Sequence, residues 1–402
     1  MKSDSTITFV ITTPKDEYIQ LKDLLLRLKL RVKISKVGGD APAGTDWTQV
    51  SPVNYLLHSI FKQIILEING KQITVAPQTY PYKAIFEALI GYSEDARKSH
   101  LTSALYKQDS TTNPDVIDTT RAAYIAPDTT TAKDGKVIEL LGKPQLDLSF
   151  QEKALIGGVS IKLEFTPHDP KFYLMADTTK VVPSVEFLDA SIFVHRSKVS
   201  SLIVEAHETA LEKSNAKYPI CRNEVKTFTI PKDAHSANID NIVTGQIPRR
   251  ALIALVSNEA FNGSYLKNPF NFKNYKCNYI STHIDGIQYP SKPYTPDFVN
   301  GIFTREYIGF FEALNQMSTD STISLSKSDW SKGKTIFGFN YSPDLANGCV
   351  QEGHLSPVRR GTMGLQLKFA EALPETINVM IYLEYDNLIQ INSDRQVITD
   401  YI

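Results

Sequence analysis

The sequence predicts an all-β protein built as two related sandwiches, and three observations lead there. Apolar and polar residues alternate with period two along many short stretches, as half-buried strands require. Tight glycine turns separate these stretches, at Asn69-Gly70 and at Asp285-Gly286. A hairpin, a proline-rich corner and a Phe-Glu-Ala-Leu segment then occur twice, in the same order.

Length and charge set the frame. A chain of 402 residues exceeds one ordinary core and suits two domains of roughly 150–200 residues. A formal net charge of −1 lacks the basic excess of a dedicated nucleic-acid binder. Nothing approaches the run of about 18 apolar residues that a membrane helix needs. The start, Met1-Lys2-Ser3-Asp4-Ser5 before Ile7–Ile11, is too short and polar for a signal-peptide core. Cys221, Cys277 and Cys349 form no metal or CxxC spacing, which suggests a reducing compartment and buried or incidental thiols.

Taken in order, Ile7–Ile11 reads as a first strand ended by Pro14. Between residues 24 and 34, Leu24, Leu26, Leu28, Leu30, Val32 and Ile34 share one face. Arg27, Lys29, Arg31 and Lys33 share the other, a clean strand signature. This basic row is expected to be a solvated face or to pair with a neighbouring strand. Arg249-Arg250 and Arg359-Arg360 read the same way. After a Gly-Ala-Pro loop (38–45) comes the first corner, Phe61 to Tyr92, with Asn69 and Gly70 at its turn and Phe86 in its helix. Both central residues of a type I′ turn need positive φ, which Asn-Gly supplies. A polar stretch, Asp109 to Lys136, follows; it looks too poor in apolar residues to pack by itself. Strands are expected at Leu146–Phe150, Val159–Phe165 and Val185–Val194. Val199 to Lys213 then carries apolar residues at three- and four-residue spacing, the pattern of an amphipathic helix.

The second half repeats the plan. Strands are expected at Val225–Ile230 and Ala251–Val256, then the second corner, Tyr275 to Leu314, with Asp285, Gly286 and Phe311. A polar loop (Asn315 to Lys334) precedes strands at Thr335–Phe339, Leu365–Phe369 and Ile377–Asn387. The turn glycines lie 216 positions apart and the two Phe-Glu-Ala-Leu segments 225 apart. Thr8–Ile11 matches Thr227–Ile230, Pro52 matches Pro269, Leu146–Phe150 matches Leu365–Phe369, and Ile161–Phe165 matches Ile381–Tyr385. Six matches in one order indicate a diverged tandem duplication. Many short strands with proline and glycine corners fit sandwiches rather than βα units. Two tandem eight-stranded jelly rolls are expected, with short helices: residues 1–195, a linker helix at 196–220, and residues 221–402. Phe86 and Phe311 are expected to plug equivalent core positions.

Longer segments carry a family resemblance. They include Asn69-Gly70-Lys71, Tyr80-Pro81-Tyr82, Ser99–Leu105, Ala210–Lys213, Lys217–Ile220, Ala260–Tyr265, Asn268–Phe272, Ser291–Pro293, Thr295–Phe298, Leu367–Ala370, Leu373–Thr376 and Glu384–Leu388. Together they resemble the major capsid proteins of Polinton (Maverick) elements and adintoviruses, over roughly Glu17 to Tyr401. The resemblance implies a structural, non-enzymatic subunit without cofactor. Its homotrimers would act as pseudo-hexagonal capsomers of an icosahedral shell, beside neighbouring capsomers and penton or minor capsid proteins. Packaged double-stranded DNA would be met only by weak, salt-sensitive contact. Such a subunit would be made in the host cytoplasm and assembled there or in the nucleus. Tyr124 and Trp330, in the two polar loops, are the candidate trimer-interface residues.

Catalytic patterns are weak. His207-Glu208 lacks the second histidine of HExxH. No GxSxG or GxxxxGK[ST] occurs, and Gly157-Gly158 and Gly361-x-x-Gly364 read as turns bordering strands. The eight histidines form no cupin-like cluster along one strand. A carbohydrate-binding or cupin-like protein, or a minor spike protein of a virion, are the alternatives.

Overall fold

The computed structural model describes residues 5–38, 44–74, 78–109, 113–128, 134–319, 322–342 and 358–401. The strands of the first half are β1 (Ile7–Thr12), β2 (Glu17–Lys36), β3 (Val50–Pro52), β4 (Phe61–Ile68), β5 (Lys71–Gln72), β6 (Asp134–Gly142), β7 (Ser160–Pro167), β8 (Leu174–Ala176) and β9 (Val181–Lys198). The second half has β10 (Ala216–Ile230), β11 (Ser236–Gln246), β12 (Arg250–Ser257), β13 (Cys277–Ile284), β14 (Ile287–Tyr294), β15 (Ile336–Asn340), β16 (Arg360–Phe369), β17 (Ile377–Ile391) and β18 (Val397–Thr399). Helices are α1 (Leu56–Ser59), α2 (Tyr80–Gly91), α3 (Glu94–Lys98), α4 (Thr119–Ile125), α5 (Pro170–Tyr173), α6 (Ser201–Lys213), α7 (Asn258–Asn262), α8 (Thr304–Ala313) and α9 (Lys327–Ser331).

Alternation decides the long strands. In β2 the six apolar positions from Leu24 to Ile34 are all buried. The basic row faces outward and pairs across to its neighbours: Arg27 with Glu139 and Arg31 with Asp134 on β6, Lys33 with Glu186 on β9. Arg249 and Arg250 instead are buried, and both reach Glu384 of β17. β12 and most of β17 are buried on both faces, which explains why they read as near-continuous apolar runs. Buried apolar side chains form one connected core through both halves.

Strand order exposes the duplication. In the second half the sheets run β10-β17-β12-β15 and β11-β16-β13-β14, with β18 added to β17. In the first half they run β6-β2-β9 and β1-β7-β4-β5, with β3 and β8 as a separate pair. By pairing partner, β1, β2, β4, β5, β6, β7 and β9 hold the places of β11 through β17. The place of β10 has no occupant among the described residues.

Some sequence expectations need correction. Thr8–Ile11 answers β11, not Thr227–Ile230, because β1 pairs with β7 as β11 pairs with β16. Likewise Ile161–Phe165 answers β16 rather than β17, since β7 and β16 are the strands paired to the turn-bearing β4 and β13. Strands draw on few residue types, so short matches recur on the wrong strand. Asp147–Phe150 is a 3-10 turn, not a strand. Gly361 and Gly364 lie within β16, whereas Gly157-Gly158 forms a bend before β7. α6 forms within the segment expected as a linker, but of its apolar residues only Leu211 is buried. Leu202 is 77% exposed, so α6 lacks the covered face its periodicity predicts.

Candidate functional site: the junction of the halves and the outer edges

The two corner turns are alike in atomic detail. Asn69 and Gly70 have φ of 49° and 78°, and Asp285 and Gly286 have 50° and 81°. In each, the turn side chain accepts a hydrogen bond from the strand alongside. Ser160 N–H donates to Asn69 Oδ1 at 2.7 Å, and Thr362 N–H donates to Asp285 Oδ1 at 2.8 Å. The backbone bonds Asn69 N–H to Ser160 O and Asp285 N–H to Thr362 O complete the match.

The helices beyond those turns diverge. α2 is wedged between the halves, with Phe86 fully buried. The Phe86 ring stacks on Phe272 at 5.5 Å and meets Tyr382 at 5.4 Å, both in the second half. Phe311 packs on Tyr307 and Phe310 of its own helix. The two phenylalanines therefore do not plug equivalent positions. One joins the halves, whereas the other stays within one of them.

Beside Phe86 lies a buried charged cluster. The Lys83 ammonium is 2.5 Å from Asp147 Oδ1 and 3.8 Å from Glu87 Oε1. From β10, Asn223 donates its side-chain N–H to Glu87 at 2.9 Å and its backbone N–H to Asp147 at 3.2 Å. Burial pushes the Glu87 carboxyl up to about 7, against the pull of Lys83. For Lys83 burial works the other way, but Asp147 and Glu87 hold it charged above its ordinary value.

Further contacts tie the halves together. Asn268 N–H donates to Asp115 Oδ1 at 3.0 Å, and Lys273 pairs with the same carboxylate at 2.8 Å. Arg97 donates to Ile323 O. Near the C-terminus, Arg395 bonds Gly157 O at 2.8 Å, accepts from the Asn69 amide at 2.7 Å, and pairs with Glu208 of α6. Sequence reasoning missed these. Lys83 and Glu87 do show an i,i+4 pair beside the repeated segment, but Asp147 and Arg395 carry no local signal.

The expected interface loops fold more than their composition suggests. Residues 110–112, 129–133 and 320–321 of those stretches lie outside the described residues, as do Cys349 and His354. Asp118 caps α4 by accepting from Thr120 N–H at 2.8 Å. Arg121 is fully buried, 2.5 Å from Asp109, which anchors the helix despite its few apolar residues. Tyr124 is 43% exposed, with the Lys107 ammonium 5.2 Å from its ring. Trp330 is fully buried. Its indole N–H donates to Ile336 O at 3.0 Å, and Phe298, Phe303, Tyr307 and Phe337 surround it. It fills the core of its own subunit and leaves nothing for a partner, which removes it as an interface residue.

His207 and Glu208 are engaged structurally: Tyr18 OH lies 2.7 Å from His207 Nδ1, and Glu208 faces Arg395 and Lys15. Among the described residues, no group of three or more His, Cys, Asp or Glu is placed to hold a metal, and no helix is long and apolar enough to cross a membrane. The cavity lined from both halves by Ile85, Leu89, Phe272, Phe310 and Leu325 holds about 40 Å³, well short of a ligand site.

Comparison with solved structures bears on the whole chain. The cryo-EM structure of the Sputnik virophage matches with a TM-score of 0.66 at 11% identity, over 100% of this chain and 86% of that one. The chain has the double jelly-roll fold. The Faustovirus major capsid protein matches at 0.60 and 9% identity, over 98% of this chain and 88% of that one. The mavirus major capsid protein matches at 0.53 and 11% identity, over 100% and 88%. At such identities the likeness is one of fold. No family model matches. A curated relative, the uncharacterized protein F54H12.2 of Caenorhabditis elegans, is 28% identical over 416 residues, spanning 98% of this chain and 93% of that protein.

Proposed function

We propose that this chain is a structural, non-enzymatic major capsid protein of the Polinton or adintovirus type. The observation that carries the reading is end-to-end agreement of both jelly rolls with a viral capsid subunit, with the chain covered at 100%. Fold alone does not name a function, but a duplicated sandwich suits a shell. Three copies present six similar units, so a homotrimer can occupy a site of near-sixfold symmetry through head-to-tail contacts that close. Such trimers would meet neighbouring capsomers, penton or minor capsid proteins, and double-stranded DNA only weakly, within the virion capsid. Residues 1–195 and 221–402 would form the two sandwiches, and Tyr124 remains the candidate contact of the first polar loop. Size-exclusion chromatography with light scattering should give three times the subunit mass, and negative-stain microscopy should show pseudo-hexagonal particles. A protein that stays monomeric, even with its partners, would contradict the proposal.

One observation supports a carbohydrate-binding reading. An open polar groove of about 560 Å³ crosses the second sandwich, lined by Asn238, Asp240, Asn241, His283 and Gln366. Flat calorimetric titrations against a sugar panel would dispose of it.

A further inference from the structure

The duplication lets the outer face of one turn-bearing sheet be compared with that of the other. The matched turns align Ser160 with Thr362. Strand pairing then places Lys162 of β7 where Gly364 stands in β16, and Glu164 where Gln366 stands. Beside them, Glu67 of β4 holds the place of His283 of β13. In the first half ion pairs close these positions, with the Lys162 ammonium 2.7 Å from Glu164 and 3.7 Å from Glu67. In the second half the central lysine is a glycine, and a carboxamide and an imidazole replace the two carboxylates.

The strand on the other side differs at the same place. β1 runs against β7 without interruption, so Val10 alone faces Lys162. β11 bulges instead: Asp240, Asn241 and Ile242 together stand opposite Gly364, between the pairs Ile239–Leu365 and Val243–Met363. Asn241 takes a φ of 57° within that bulge. Bulges re-aim side chains and are frequent beside active sites. Glycine for lysine removes the side chain that would fill the surface, and the bulge raises a polar rim around the gap. The groove of about 560 Å³ is the product of both changes, within the range of about 300–1,000 Å³ common for small-molecule sites.

Its chemistry narrows the ligand. Met363, Leu365 and Leu367 point into the core, so Thr362, Gly364 and Gln366 form the floor. Asp240 accepts from the Asn238 amide at 3.1 Å. The carboxamides of Gln366 and Asn241 and the imidazole of His283 have no hydrogen-bond partner among the described residues. No lysine or arginine lines the groove, so nothing there holds an anion. β11 and β13 pair with β16 on both sides, so an extended peptide finds no free ladder to join. A carboxamide offers a donor and an acceptor side by side, which suits adjacent hydroxyls that both donate and accept.

We infer that this groove binds a neutral saccharide, with Gln366, Asn241 and His283 bonding its hydroxyls and Gly364 giving the sugar ring room to approach the sheet. Such a site presupposes the carbohydrate reading of this groove and is independent of trimer formation. It belongs to the second half alone, because Lys162 and its ion pairs occupy the corresponding place in the first.

The test is calorimetric titration of the full chain with maltotriose, cellotriose, mannotriose, triacetylchitotriose and lactose, with sialyllactose as the acidic counterpart of lactose. At least one neutral sugar should bind, one per subunit, and sialyllactose should bind no better than lactose. Gln366→Ala should weaken the binding about tenfold, the loss of one hydrogen bond. Gly364→Lys, which restores the first half's residue, should abolish it, while Lys162→Ala should leave it unchanged. A Cβ at Gly364 would meet Ile239 O at 3.2 Å, so Gln366→Ala, which only removes atoms, decides the matter if circular dichroism shows the lysine variant misfolded. Wild-type affinity in Gln366→Ala and in a folded Gly364→Lys would place the sugar elsewhere, overturning this site while the carbohydrate reading stands. A preference for sialyllactose overturns the neutral class. Flat titrations of the wild-type chain with every sugar overturn both the site and the reading.

Discussion

At residue scale the turn glycines and one carboxyl make the sharpest predictions. A Cβ at Gly70 or Gly286 would meet no atom within 4 Å, and both residues have φ near +80°. Alanine there is strained by backbone alone, so Gly70→Ala and Gly286→Ala should each cost about 1 kcal/mol. Equal costs in urea melts would show that the corners are energetic as well as geometric twins. Glu87 is different, because its folded pKa is raised above its ordinary value. The folded chain then binds the proton more tightly than the unfolded one. Stability from this group is full below pH 4.5 and is lost as pH rises through about 7. A gap of that size corresponds to about 3 kcal/mol. Glu87→Gln should remove this dependence, gaining on the wild type between pH 5 and pH 8 in thermal melts. Parallel curves for the two proteins would contradict it.

At the scale of elements, the sequence reads well where a residue's neighbours are near in the chain. β2 is legible because its period-two sorting is complete, and the corner turns because Asn-Gly and Asp-Gly need little context. The periodicity of α6 predicts its helix, but its apolar face is not covered, since periodicity describes a helix and not what lies against it. The strand correspondences failed for a related reason: pairing partners, not residue types, identify a strand in a sandwich. The polar loops were underestimated because composition hides a buried Arg121 held by Asp109 and Asp118. The loop position of Trp330 points to an interface, while its partners come from α8, β15 and residues 298 and 303. Trp330→Ala should therefore destabilise the isolated subunit by about 3–5 kcal/mol. The check is denaturant unfolding at a concentration too low for assembly. An effect confined to the assembled state would restore Trp330 to the interface.

At the scale of the whole molecule, the question is what makes two sandwiches one body. The connected core and the Phe86 stack supply the apolar part, and the tail after β17 supplies a polar clasp. Arg395 holds the first half at Gly157 and Asn69 and the linker helix at Glu208, while its own segment belongs to the second half. α6 needs such a clasp, because only Leu211 among its residues is buried. Hydrogen bonds to charged groups contribute about 1.5–3 kcal/mol each where they are well shielded, and Arg395 is largely enclosed. Arg395→Ala should lower stability by about 1–3 kcal/mol. Hydrogen exchange should locate the loss: amides of α6 and of the bend at Gly157-Gly158 should exchange faster, while β12 and β17 stay protected. Uniform acceleration across both sandwiches would mean instead that the tail supports the common core, and that the linker helix is held by something other than Arg395.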